Sequence, residues 1–239
     1  MGNMGQAIVG SLAKHEMYHI TTCQKHDDPN QKLSVVDVVI VAVKPQSFLQ
    51  LADSISIDMS GKLVISIMAG VTIDKIKNSL SAFKVVRSIP NLAIRIGRGV
   101  TEWFPSQEVR VEDKLVVRHI FSAMGKEIEV AEEDILSGIG SVSGIGPAFF
   151  YYLTELLAEK AEEYGFSPAQ ARVIAEETFV GSALLLDSSE RSSLEWREAV
   201  SSKGGITIEA LKHLKENKFD QILKDAVDSA KNRSNQLLK

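Results

Sequence analysis

Residues 35–43 read Val-Val-Asp-Val-Val-Ile-Val-Ala-Val, a nearly continuous β-branched run. Such a run suits a strand covered on both faces, the condition of a central strand in a parallel sheet. It ends at Ala42-Val43-Lys44-Pro45, where Pro45 stops the strand and opens a helix with Gln46 beside it. Residues 63–67 and 84–88 have the same character, and 47–52 and 72–80 carry helical spacing between them. Before the run, 6–14 reads as a helix and 19–23 as a short strand. After it, 113–124 reads as a helix and 127–130 as a last strand. The alternation predicts an α/β domain built on a parallel sheet.

The pattern changes near Glu132. From Pro147 onward strand signals vanish, and Phe150, Leu153, Leu157, Ala161 and Tyr164 form an apolar stripe at helical spacing. Gly165 ends that helix, and Ser167-Pro168 caps and starts another that runs to about Asp187. This second helix is rich in Ala, Val, Leu and Gly almost all round, so it demands burial. Packing against a second copy of the chain satisfies the demand; a monomeric helical bundle is the alternative. The expected division is 1–130 and 131–239.

The composition excludes several classes. The net charge is −4 with no Lys/Arg-rich patch, which argues against nucleic acid as a partner. The longest apolar run is far too short to cross a membrane, and the first residues lack a basic stretch followed by an apolar core. The single cysteine, Cys23, forbids an internal disulfide and suits a reducing, cytoplasmic compartment. Only His15 and His19 of the five histidines stand four apart, without an obvious third ligand, so no metal site is expected.

Several glycine-rich turns stand where helices begin. Gly2-Asn3-Met4-Gly5 leads into the first helix, as in a dinucleotide-binding turn that sets pyrophosphate on a helix N-terminus. Ser201-Ser202-Lys203-Gly204-Gly205-Ile206-Thr207 opens a helix over 207–214. Its two adjacent glycines let backbone N–H groups turn toward an anion. Ser66-Ile67-Met68-Ala69-Gly70-Val71-Thr72 repeats the strand-to-helix design with Thr72 as N-cap, and Arg87-Ser88-Ile89-Pro90-Asn91 follows the next strand. In Ser141-Val142-Ser143-Gly144-Ile145-Gly146-Pro147-Ala148 the glycines permit close approach, with Pro147 as the first helical residue.

Taken together and in this order, these segments resemble the pyrroline-5-carboxylate reductase family, from Gly2 to the C-terminus. The resemblance implies a Rossmann-like parallel sheet domain whose first strand is missing, followed by an all-helical dimerisation domain. It implies NADPH (or NADH) as cofactor, pyrroline-5-carboxylate as small-molecule substrate, and a homodimer or higher homo-oligomer. Gly2 and Gly5 match the second and third glycines of the nucleotide turn, with Asn3 and Met4 between them. Ala42, Val43, Lys44 and Pro45 line the cofactor, and Asn91 reaches its nicotinamide side. Gln24 and Lys25 stand where NAD enzymes carry an acid for the ribose, and they tolerate a 2′-phosphate; Lys25 equally fits a solvated lysine. Residues 24–34 are too few for the helix and strand usual there, and 26–30 reads as a loop.

On the substrate side, the resemblance places the carboxylate on Gly204, Gly205 and Ile206 and brings the Thr207 hydroxyl to the ring nitrogen. Ser143 lines the pocket wall, and Glu190 matches a family acid near the substrate; by its local sequence alone Glu190 is an exposed acid at a helix end. Lys203 replaces the family's proline, Ile145 a small residue, and Leu92-Ala93 the family's Thr-Pro. The implied activity is reduction of 1-pyrroline-5-carboxylate to L-proline by hydride transfer. Two other readings stay open: a reductase-like binding or regulatory module without catalysis, and an imine or ketone reductase for another substrate. The position of Met1 inside the nucleotide motif leads to the expectation that a longer form supplies the first strand and first glycine.

Overall fold

The computed structural model describes residues 1–237. By internal packing it divides into two compact units, one of Met1–Ile145 joined by the segment from Ala230 onward, the other Gly146–Ser229.

The first unit is built on a five-stranded sheet with strand order following the sequence: β1 (Val38–Val41), β2 (Leu63–Ser66), β3 (Lys84–Pro90), β4 (Gly99–Pro105) and β5 (Gly125–Glu129). β1, β2 and β3 are parallel, with Val38 opposite Leu63 and Leu63 opposite Lys84. β4 runs antiparallel to β3, Ile89 facing Glu102, and β5 runs parallel to β4. The sheet is mostly parallel, as expected, with the β3–β4 pair as its antiparallel step. β4 itself carries no clear sequence signal, because Glu102 interrupts its apolar pattern and Pro105 closes it. A connection of eight residues joins β3 to β4, enough for a reversal but not for a helical crossover.

Alternation along the strands feeds two cores. Leu63, Ile65, Val86 and Trp103 point to one face and pack with α1 (Asn3–Leu12) and α5 (Val111–Ser122) through Ile8, Leu12, Val117 and Phe121. Val64 and Val85 point to the other and meet α3 (Phe48–Asp53) and α4 (Ile73–Leu80) through Phe48, Ala52, Ile76 and Leu80. This double covering explains the β-branched runs that lack polar alternation. Thr72 caps α4, accepting a hydrogen bond from the Lys75 N–H at 3.3 Å.

Residues 19–23, expected to form a strand, carry no regular secondary structure and pair with no strand among the described residues. A strand requires a neighbour's backbone groups; β1 is the sheet's edge and, among the described residues, is bonded only to β2. The expected loop at 26–30 is half helical. Asp28 accepts from the Asn30 N–H at 2.9 Å and caps α2 (Pro29–Leu33). Asn30 then ties that helix to residues 54–57, its Oδ1 accepting from the Ser56 N–H at 2.7 Å and its Nδ2 donating to the Ser54 carbonyl at 3.0 Å. After β5 comes α6 (Glu133–Ser143), which packs on β3 and β4.

The second unit is helical: α7 (Gly146–Glu163), α8 (Pro168–Asp187), α9 (Ser193–Ala199), α10 (Ile206–Glu216) and most of α11 (Phe219–Leu237). α7 and α8 form a hairpin. The turn passes through Gly165 at φ +96°, and Ser167 starts α8 with a capping box to Gln170. Ala161, Ala171 and Ala175 are buried, and Phe150 stacks on Phe179 at 5.4 Å between centroids. Val173, Ile174, Val180, Leu184 and Leu185 stay exposed on α8, so one chain leaves unburied much of the apolar surface that its sequence displays. Among the described residues, no helix is long and apolar enough to cross a membrane.

Candidate active site

Because β1, β2 and β3 are parallel, their C-terminal ends share one rim of the sheet, where open α/β folds bind ligands. Ala42-Val43-Lys44-Pro45 follows β1. Lys44 is exposed, and Pro45 begins a 3-10 turn over Pro45–Ser47. The N-terminus of α1 comes to the same rim: a Cβ built on buried Gly5 would lie 3.6 Å from that of Ala42 and only 2.9 Å from Cγ of Met1. A methyl group at Gly5 would touch Ala42 at ordinary contact distance and displace the Met1 side chain. Gly2 is the N-cap with no side-chain bond to the first turn, and the first intrahelical bond runs from the Gln6 N–H to the Gly2 carbonyl at 3.0 Å. The N–H groups of Asn3, Met4 and Gly5 thus have no helical acceptor. The Met4 side chain turns inward against the core that contains Ile8 and Trp103, so Met4 offers only its backbone. Gln24 and Lys25 lie in an exposed turn closed by Asp27, whose carboxylate accepts from the Gln24 N–H at 2.7 Å.

Beyond β2, buried Ser66 shapes the next loop, its Oγ accepting from the Met68 N–H at 3.2 Å while Ser88 Oγ donates to its carbonyl at 3.0 Å. Beyond β3, Asn91 is 9% exposed and its amide is engaged at both ends. Oδ1 accepts from the Val100 N–H at 3.4 Å, and Nδ2 donates to the Ser143 carbonyl at 3.3 Å. Ser143 is not in a loop but is the last residue of α6, and its Oγ donates to Glu102 Oε2 at 2.9 Å. The structure therefore joins Asn91 directly to Ser143, and ties Ser143 to an acid that sequence reasoning missed. Burial pushes the Glu102 carboxyl above its ordinary value, opposed by the Ser143 bond. Arg87 was also missed as an ion-pair partner. It is 2% exposed on β3 and donates to Glu133 Oε1 at 2.9 Å, an oxygen that also accepts from the Ile73 N–H at the start of α4. A charged residue inside an otherwise apolar strand was the available signal for both.

In the second unit, α9 ends at Ala199 and residues 200–205 turn into α10. Gly204 has φ +74°, a conformation costly for any residue with a Cβ. Gly205 has φ −83° but no room: a Cβ there would meet Ser202 Oγ at 2.5 Å and the Ser202 carbonyl at 3.0 Å. The Gly205 N–H donates to that same carbonyl at 2.9 Å and closes the turn. α10 starts at Ile206, one residue before the expected position, and no side chain caps it. The N–H groups of Ile206, Thr207 and Ile208 are left without helical acceptors, beside the half-buried Thr207. Lys203 is exposed. Glu190 is an exposed acid between α8 and α9.

A doubly covered α/β sheet, a glycine-bearing helix start at its rim and a helical unit with its own anion-suited turn define a dinucleotide-dependent reductase class with a helical C-terminal unit. The family model described as "Pyrroline-5-carboxylate reductase dimerisation" matches residues 133–237, and that described as "NADP oxidoreductase coenzyme F420-dependent" matches residues 1–70. The chain belongs to the pyrroline-5-carboxylate reductase family. It is 30% identical over 263 aligned positions to the pyrroline-5-carboxylate reductase of Escherichia coli K12, covering all of this chain and 96% of that protein. It is 31% identical over 215 residues to that of Vibrio alginolyticus, covering 89% and 79%. Among solved structures, the Coxiella burnetii pyrroline-5-carboxylate reductase superposes with TM-score 0.85 at 30% identity, covering all of this chain and 96% of that one. The Plasmodium falciparum pyrroline carboxylate reductase, solved with NADP bound, superposes with TM-score 0.86 at 26% identity, covering 100% and 95%.

Proposed function

We propose that this chain reduces 1-pyrroline-5-carboxylate to L-proline with NADPH or NADH. The observation that carries the reading is the turn at 202–207. Gly204 needs its positive φ, Gly205 has no space for a Cβ, and α10 begins with uncapped N–H groups. Such a helix start suits a small carboxylate. Gly204 and the free Ile206 N–H hold the substrate carboxylate, Gly205 shapes the turn because its own N–H is committed to the Ser202 carbonyl, and Lys203 adds charge attraction at the turn's exposed side. The Thr207 hydroxyl hydrogen-bonds the ring nitrogen, which takes its proton from solvent as the imine carbon takes the hydride. By the family resemblance Ser143 is a further substrate residue. Glu190 stands in solvent and, among the described residues, no hydrogen bond aims it; its substrate role comes from the family resemblance alone.

The α1 start fits a dinucleotide: its N–H groups are uncapped, and nothing lies within 4 Å of where a Cβ on Gly2 would be. Gly2, Asn3, Met4 and Gly5 hold the pyrophosphate through backbone N–H groups. Ala42, Val43, Lys44 and Pro45 line the cofactor, with Asn91 beyond the neighbouring strand. Gln24 and Lys25 leave room for a 2′-phosphate, which favours NADPH. When bound, the nicotinamide cofactor supplies the hydride. The residues of this chain orient the imine carbon and deliver a hydrogen bond to its nitrogen.

The family model described as dimerisation and the exposed apolar residues of α7 and α8 support a homodimer or larger homo-oligomer. Free, exposed Cys23 and the modest net charge support a cytoplasmic location without nucleic-acid or membrane partners. The edge position of β1 favours a second reading, a reductase-like binding module without turnover, because the nucleotide rim has a sheet on one side only. Oxidation of NADPH measured with and without pyrroline-5-carboxylate separates the two. Substrate-dependent oxidation with L-proline as product supports the enzyme; NADPH binding without turnover supports the module.

A further inference from the structure

Glu102 has no part in the chemistry above, yet it is 3% exposed in the middle of β4, flanked in register by Ile89 of β3 and Ile128 of β5. A carboxyl group in such a position is costly unless something specific holds it. Its side-chain partner is Ser143, whose Oγ lies 2.9 Å from Oε2. The Ser143 carbonyl accepts from Asn91, and Asn91 is clamped to both backbone groups of Val100, its own N–H donating to the Val100 carbonyl at 3.2 Å. Val100 stands two residues before Glu102 on the same strand. The four residues thus close a ring that joins the end of β3, the middle of β4 and the last turn of α6.

We infer that Glu102 is a positioning residue: its buried carboxyl fixes the hydroxyl of Ser143 and so sets the spacing between Asn91 and the turn that follows α6. The inference rests on the proposed function, in which Asn91 and Ser143 face cofactor and substrate. Two hydrogen-bond arrangements are open to the carboxyl. Ser143 has one hydroxyl hydrogen but two acceptors in reach, Glu102 at 2.9 Å and the Ile139 carbonyl at 3.3 Å. An ionised Glu102 leaves these acceptors competing. A protonated Glu102 donates to Ser143 Oγ, which then donates to Ile139, and both bonds are made together. Burial favours the second arrangement, and the hydroxyl bond of the first opposes it.

Charged groups nearby do not oppose this. By strand alternation, Arg87 of β3 and Lys126 of β5 lie on the same face. Arg87 is bonded to Glu133, at the opposite end of α6 from Ser143, and Lys126 is exposed. Lys231 of α11 approaches α6 at Gly138, 3.9 Å from where a Cβ would be. Among the described residues none forms an ion pair with Glu102.

The test compares wild type with Glu102→Gln, Glu102→Ala and Ser143→Ala. Three measurements are made: steady-state kinetics with pyrroline-5-carboxylate and NADPH, amide hydrogen exchange at Gly144 and Ile145, and melting temperature against pH. Glu102→Ala should raise the substrate KM by about tenfold, the scale of one lost buried hydrogen bond, and speed exchange at both amides. Glu102→Gln keeps a donor and an acceptor and should restore both to within about twofold of wild type. Ser143→Ala should match Glu102→Ala in exchange. A raised folded-state value stabilises below the ordinary glutamate range and loses that contribution as pH rises from that range through the raised value. Wild type should therefore lose melting temperature over that window, and Glu102→Gln should not. Unchanged KM and exchange in Glu102→Ala, or a Glu102→Gln variant as impaired as Glu102→Ala, overturns the inference. Should Glu102→Ala fail to fold, Ser143→Ala and Glu102→Gln still decide it. Absence of turnover in wild type refutes the proposed function instead, and the exchange and pH measurements then judge Glu102 by themselves.

Discussion

Replacing Gly205 by alanine places a methyl carbon 2.5 Å from Ser202 Oγ and 3.0 Å from the Ser202 carbonyl oxygen. The hydroxyl is the free end of a side chain and can rotate away. The carbonyl cannot, because it accepts the Gly205 N–H at 2.9 Å and so forms the turn itself. The backbone must therefore open by a few tenths of an ångström, and the opening moves the N–H groups at the start of α10. A hydrogen bond to a charged acceptor is worth roughly 1.5–3 kcal/mol. Loss of one such bond to the substrate carboxylate should raise KM by roughly 10- to 150-fold. NADPH affinity, measured by fluorescence titration, should be unchanged. Gly204→Ala is the control, since its Cβ meets no atom within 4 Å and its cost is only the left-handed φ of +74°. It should lower the melting temperature through a strain of about 1–2 kcal/mol. A Gly205→Ala enzyme with KM within twofold of wild type would show that this turn does not hold the carboxylate.

Three further outcomes are expected. Thr207→Ala should cut kcat with little effect on NADPH binding, by roughly 2–4 kcal/mol if its bond forms in the transition state; an unchanged kcat removes Thr207 from the chemistry. Light scattering should give at least twice the 26.2 kDa chain mass, and Leu184→Asp on exposed α8 should shift the protein toward monomer; a folded, active monomer of wild type would contradict the oligomer. Glu108, hydrogen-bonded to Lys77 at 2.6 Å, is held down to about 2. A depressed carboxylate stabilises above its unfolded value and loses that contribution as pH falls toward about 2, so Lys77→Met should flatten the acid side of the stability curve. The pair is partly exposed, so the effect should stay below about 1 kcal/mol; identical acid titrations of the two proteins would refute it.

Features that depend on neighbours in sequence were legible. The helix starts at Thr72 and Ser167 follow from hydroxyls that accept N–H groups three residues on, a bond closed within one turn. The doubly covered strands were visible because every position in 63–66 is buried, whichever way it points. The residues 19–23 misled for the opposite reason: strand propensity is a preference, but a strand exists only where another chain segment takes its hydrogen bonds. The 201–207 turn stood out because two adjacent glycines before a helix are costly without a backbone reason, and the structure supplies a separate one for each.

By itself the sequence determined the division of labour: a covered sheet first, helices after, and glycine turns at the places where helices begin. These depend on composition and periodicity over a few residues. Only the tertiary structure decided that β4 reverses direction, that Ser143 closes a helix, and that Glu102 meets it across 41 positions of sequence. No local pattern encodes such a meeting. A buried carboxyl has no preference of its own for a distant hydroxyl until packing removes water from both and leaves each the other's available partner.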